Sequence, residues 1–147
     1  ERGTMQRPPR PPSESIFARG LWQQTVWVGL WMAAVVLAVQ ALAIGQDWPW
    51  QTMVFTTLAL LQLGNALAIR SERESFFRLG LRSNMPLTIA VVTTLVVQLA
   101  LVFVPALQPI FVTETLSMEQ LALVGVASTL GFAAVETEKW FVRRSTD

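Results

Sequence analysis

The chain has 147 residues, 52% of them hydrophobic and only 14% charged, with a formal net charge of +1 and no Cys, His or Tyr. A soluble domain carries about 25% charged residues, so the shortage points to a membrane protein. The lack of Cys and His excludes disulfides, thiolate chemistry and zinc, haem or iron-sulfur sites, leaving only a hard cation held by oxygen; the near-zero charge gives no ground for nucleic-acid binding.

Residues 1–20, ERGTMQRPPRPPSESIFARG, hold Pro8, Pro9, Pro11 and Pro12 beside Arg2, Arg7, Arg10 and Arg19. Proline fixes φ and lacks the donor, so an extended segment is expected here, either a plain solvated linker or a basic cytoplasmic stretch. Glu1 opens the sequence with no secretory n-region and h-region, and the expectation is a piece of something larger.

From Leu21 to Ile44 no residue is charged, and at ~1.5 Å per residue the run is long enough to cross a ~30 Å hydrocarbon core. Trp22 and Trp27 suit an interfacial belt, and Gly29 with Ala33 offers a small face for close helix contact. GQDWPW, residues 45–50, reads as a tight turn joining this first span to a second at 51–70. Arg70 to Ser83, RSERESFFRLGLRS, interleaves arginines with apolar residues: either an amphipathic segment on the membrane surface or a solvated loop with weak ion pairs.

Asn84 is placed to cap a third span at 86–104, with Pro86 at its start and Pro105 and Pro109 ending it; Gln98 is its one strongly polar group. A connecting loop follows, uncharged but for Glu114. Ser117 and Gln120 then form a capping box for a fourth helix over 118–142, with Gly125, Ser128 and Gly131 as a small-residue stripe. Near its end Glu136 can pair with Lys139, one turn on, with Trp140 as a belt residue.

The fold expected is therefore all-α: a polytopic membrane protein of four transmembrane helices over 21–142, with a short tail at 143–147. All eleven Lys and Arg residues fall in the N-terminal stretch, the 70–82 loop or the end beginning at Lys139. By the positive-inside rule these three regions share the cytoplasmic side, which puts both termini there.

Gln62 and Asn65 stand in the middle of the second span, three residues apart and so on one face of the helix. Amides at membrane depth need partners. Two readings stand side by side: a pathway-facing spot that can offer oxygen to a cation, or packing glue between helices.

Three stretches resemble the C-terminal part of a P-type cation pump of the calcium-ATPase type. MQRPPRPPSESIF is similar to that family's loop after the sixth membrane helix. QTMVFTTLALLQLGNALAIRSERESFFRLGLRSN is similar to its eighth helix and the loop to the ninth, and AVETEKWFVRR to the end of its tenth. The resemblance implies the last four of ten membrane helices, partnered by the lipid bilayer and by the remaining transmembrane and cytoplasmic domains of the pump.

It further implies that Gln62 occupies the place of a cation ligand, which sarcoplasmic-reticulum-type pumps fill with Glu and plasma-membrane-type pumps with Gln. A neutral amide there favours one ion per cycle, with Asn65 orienting or packing beside it. The parent would use ATP and magnesium and move calcium or another cation. This chain has no Asp-Lys-Thr-Gly phosphorylation segment and no nucleotide-binding domain, so no cofactor and no catalytic residue is expected in it. The expected location is a multi-pass cell membrane, with a bacterial inner membrane in view. The reading set against all this is a free-standing four-helix membrane protein with a structural or regulatory role.

Overall fold

The computed structural model describes residues 21–69 and 85–144; within the last helix the side chains beyond Leu130, Ala133 apart, are left aside. The expectations for residues 1–20, the Arg70–Ser83 segment, the Asn84 cap and residues 145–147 lie outside the described residues, as does the side-chain pairing of Glu136 with Lys139. All the regular structure described is helical: α1 Leu21–Gly45, α2 Trp50–Ile69, α3 Met85–Phe103, the single turn α4 Gln108–Phe111, and α5 Met118–Arg144. The long helices fall where uncharged runs had placed them. α5 continues through Arg144, past the expected end at 142. The stretch between Pro105 and Ser117, expected to be plain loop, contains α4, started by Pro109 in its first turn.

α2 is the hub: it packs against α1, α3 and most broadly α5, while α1 also meets α5. The shared core consists of Met32, Val35, Val39 and Ala43 from α1, Met53 and Leu61 from α2, Val102 from α3, Leu116, and Val124 and Ala127 from α5. On α1 these positions recur every three or four residues, a narrow stripe on a helix that is apolar all round. Shape, not polarity, therefore selects the packed face. The chosen face is not the expected one: Gly29 and Ala33 are exposed, and nothing comes within 4 Å of where a side chain on Gly29 would begin. Bulkier Met32 and Val35 fill the seam with α2 and α5 better than a small pair would.

Much apolar surface stays uncovered. Thr25–Gly45 and Met85–Phe103 are long and apolar enough to cross a membrane, yet only 22% and 11% of their apolar windows are buried. A core helix of a soluble protein would be mostly buried, so the exposure favours lipid. Among the described residues α2 does not reach that level of apolarity, because amides and threonines interrupt it, and the apolar part of α5, Met118–Leu130, is shorter.

One end of the bundle is tied by specific bonds. α1 closes with a Schellman turn: Trp48 N–H donates to the Ala43 carbonyl at 2.9 Å and Asp47 N–H to that of Ile44 at 3.2 Å, with Asp47 left-handed at φ 53°. Thr52, in the first turn of α2, accepts the Glu114 N–H at 2.9 Å. Gln108 Nε2 donates to the Val102 carbonyl at 2.7 Å and Thr113 Oγ1 to that of Leu101, filling two acceptors that the end of α3 leaves free. The expected capping box forms in both directions: Ser117 N–H donates to Gln120 Oε1 at 2.8 Å, and Gln120 N–H to Ser117 Oγ at 3.3 Å.

Candidate functional site

α2 is divided lengthwise. Thr52, Met53, Thr56, Thr57, Leu61 and Ala68 are buried, whereas Gln51, Phe55, Leu58, Gln62 and Ala66 are exposed. The exposed set steps by three or four residues and so forms one stripe down the helix. Gln62 lies on it, directly after Leu61, which is 1% exposed on the opposite side. Asn65 is half-buried at the stripe's edge, and its Oδ1 is buried without a hydrogen-bond partner.

Several other polar groups of these helices are spent within the chain. Gln98 of α3 is buried and donates from Nε2 to Thr56 Oγ1 at 3.1 Å, the side-chain link between α3 and α2. Thr57 and Ser128 return their hydroxyls to carbonyls one turn back, those of Met53 and Val124, each at 2.7 Å. The Gln98–Thr56 bond is packing glue between helices, whereas the two hydroxyls bond within their own helices. The sequence marked Gln98 as polar but not its partner; the signal was there in Thr52 and Thr56, two hydroxyls four apart on one face.

The two amides singled out from the sequence thus differ from the buried Gln98 in how they are used. Gln62 is exposed. Asn65 carries an oxygen withdrawn from solvent with nothing bound to it, a costly state for an amide unless a donor or cation meets it. Among the described residues no group of three or more His, Cys, Asp or Glu could hold a metal ion. A calcium ion takes six to eight oxygens, so one or two neutral carbonyls can complete such a shell but not build it. The chemistry open to this face is one of contribution to a site shared with other helices.

Long, apolar, largely uncovered helices around a polar-seamed hub define the class: a helical domain of a multi-pass membrane protein. Residues 1–141 match the family described as cation transporting ATPase, C-terminus, and the chain belongs to that family. It is 33% identical, over 97% of its length, to Calcium-transporting ATPase 1 of Yarrowia lipolytica. It is 32% identical over 95% to the protein of the same name from Schizosaccharomyces pombe, and 30% identical over 95% to Calcium-transporting ATPase type 2C member 2 of Mus musculus. The chain spans 16% of the length of each fungal relative and 15% of the mouse one. These relatives are fungal and mammalian, and they lend no support to a bacterial inner membrane.

Proposed function

We propose that this chain is the C-terminal membrane domain of an ATP-driven cation pump, that calcium is the ion carried, and that the domain supports the transport pathway and lines part of it. Four helices, α1, α2, α3 and α5, cross the bilayer, with both termini on the cytoplasmic side where the arginines gather. The family match and the calcium-transporting relatives support this reading over a free-standing four-helix protein. ATP, with magnesium, is used by the parent's other domains, which are also this domain's partners, together with lipid and the cation.

The observation that carries the site is the lengthwise division of α2. Its buried side holds the domain together, and its exposed stripe presents Gln62, with the unpartnered Asn65 oxygen at the margin. In the whole pump that stripe meets the helices that supply the charged ligands, and Gln62 adds one neutral oxygen to the shell while Asn65 orients it. A single neutral contribution favours one ion per cycle.

The test is Gln62→Ala in an intact pump carrying this domain, reading the cation concentration needed for phosphorylation by ATP. Removing one oxygen from the shell raises that concentration about tenfold, equivalent to ~1.4 kcal/mol. An unaltered cation dependence, alongside normal expression and fold, would remove Gln62 from the pathway and leave the domain as scaffold alone.

A further inference from the structure

The connection between α3 and α5 carries an apolar tip that neither the cation site nor the packing of the helices uses. Ile110, Phe111 and Val112 are exposed by 70%, 50% and 72%, three large apolar side chains in a row. We infer that this tip is a membrane-interface anchor, seated in the bilayer where headgroups meet acyl chains, and that it extends the lipid-facing surface of α3 around the end of the helix. The inference rests on the reading of α3 as a membrane span.

Four observations converge on lipid as the occupant. First, the tip is continuous with the membrane-facing side of α3: α4 packs on α3, Gln108 is bonded to the Val102 carbonyl, and Phe103 and Val104 are themselves exposed apolar residues. Second, it lies at the interface end. Glu114, just beyond the tip, is bonded to Thr52 beside the Trp48–Trp50 turn, and aromatic residues of that kind favour the headgroup zone.

Third, the backbone donors of the tip itself, from Leu107 to Thr113, are bonded within it. Leu107 and Gln108 donate to Val104, Ile110 and Phe111 to Leu107, and Val112 and Thr113 to Gln108, while Pro109 has no N–H. Donors already bonded lower the cost of taking this turn out of water. Fourth, Val112 is left-handed, at φ 53° and ψ 47°. Gly or Asn adopts that conformation with little strain, and a β-branched residue does not. Waving in water, the isopropyl group gains nothing to offset the strain; immersed in acyl chains it does. Residues 104–113 carry no charge to oppose immersion.

The chain has no native cysteine, so single-cysteine variants report one position each. Ile110→Cys, Phe111→Cys, Val96→Cys in α3 and Glu119→Cys at the start of α5 would each be spin-labelled in the full chain, reconstituted in phosphatidylcholine bilayers. Accessibility to oxygen, which concentrates in lipid, is compared with accessibility to a water-soluble nickel chelate. The expected result groups positions 110 and 111 with 96, oxygen-rich and nickel-poor, and leaves 119 nickel-accessible. If 96 is lipid-exposed but 110 and 111 behave like 119, the anchor is wrong and the span reading of α3 stands. Low accessibility of 110 and 111 to both reagents means protein cover and overturns the anchor equally. Nickel access at 96 as well would fell the span reading, and the anchor with it.

Discussion

At Thr52, near its start, α2 accepts a hydrogen bond from a loop 62 residues further along the chain, whereas at Gln62 it leaves an amide exposed. The two regions share a helix and a similar stock of polar residues. At the tied end hydroxyls and amides meet backbone groups of the same chain: Thr52 with Glu114, Gln108 with Val102, Thr113 with Leu101, Ser117 with Gln120. Along the exposed stripe the polar atoms are uncommitted, and one of them, Asn65 Oδ1, is buried without a partner. The difference teaches how to separate polar groups that hold a helix in place from those left open to a further partner: by what each group is already bonded to, not by residue type.

Neighbouring residues on opposite sides of α2 give the sharpest way to break that comparison. Leu61→Ala empties a fully packed position and should destabilise the domain by about 2–4 kcal/mol, read as an earlier unfolding midpoint in a denaturing-detergent titration. Gln62→Ala should leave that midpoint within ~0.5 kcal/mol while weakening the cation dependence of the intact pump. Equal midpoints for the two variants would erase the division of α2 into a holding side and a presenting side.

A smaller effect is expected at the tied end. Thr52→Val tests the tie to the loop: it keeps the shape, leaves the Glu114 N–H without its acceptor, and should lower stability by ~1 kcal/mol. Within the glue, Gln98→Leu removes the donor to Thr56 and should cost about 0.6 kcal/mol, the average for an interhelical bond in a membrane, with no change in the pump's cation dependence. A shift in cation affinity would place Gln98 among the functional amides instead. The smallest change is a gain. Asp47→Gly places at the left-handed position of the Schellman turn the residue best suited to it, and should raise the midpoint by about 0.5 kcal/mol.

The long helices were legible because charge and proline bracket them: Arg19 before α1, Pro49 before α2, Pro86 within the first turn of α3 and Pro105 after it. The α5 cap was legible for a similar reason, since Ser117 and Gln120 need only local geometry to find each other. Packing faces were not. On α1 nearly every residue is apolar, so periodicity could not tell Met32 and Val35 from Gly29 and Ala33, and the seam is decided by α2 and α5. The α4 turn was missed although Pro109 and the left-handed Val112 bracket it, because four residues give no period to read. Gln62 and Asn65 stood out as amides in a membrane run, but their separation from Gln98 needed the hydrogen bonds, which join residues 42 apart in sequence.

The bond from Glu114 to Thr52 also sets a timetable. A ribosome adding roughly 5–20 residues per second completes the α1–α2 hairpin at Ile69 about 2–9 s before it makes Glu114, whose N–H donates to Thr52. During that interval the hairpin waits with its Thr52 and Thr56 hydroxyls unmatched and its seam for α5 open. The Schellman turn, closed entirely by residues 43–48, is complete from the outset and holds the two helices side by side. The order of synthesis thus makes the hairpin a template, and α5, which emerges after it, is the helix that locks it.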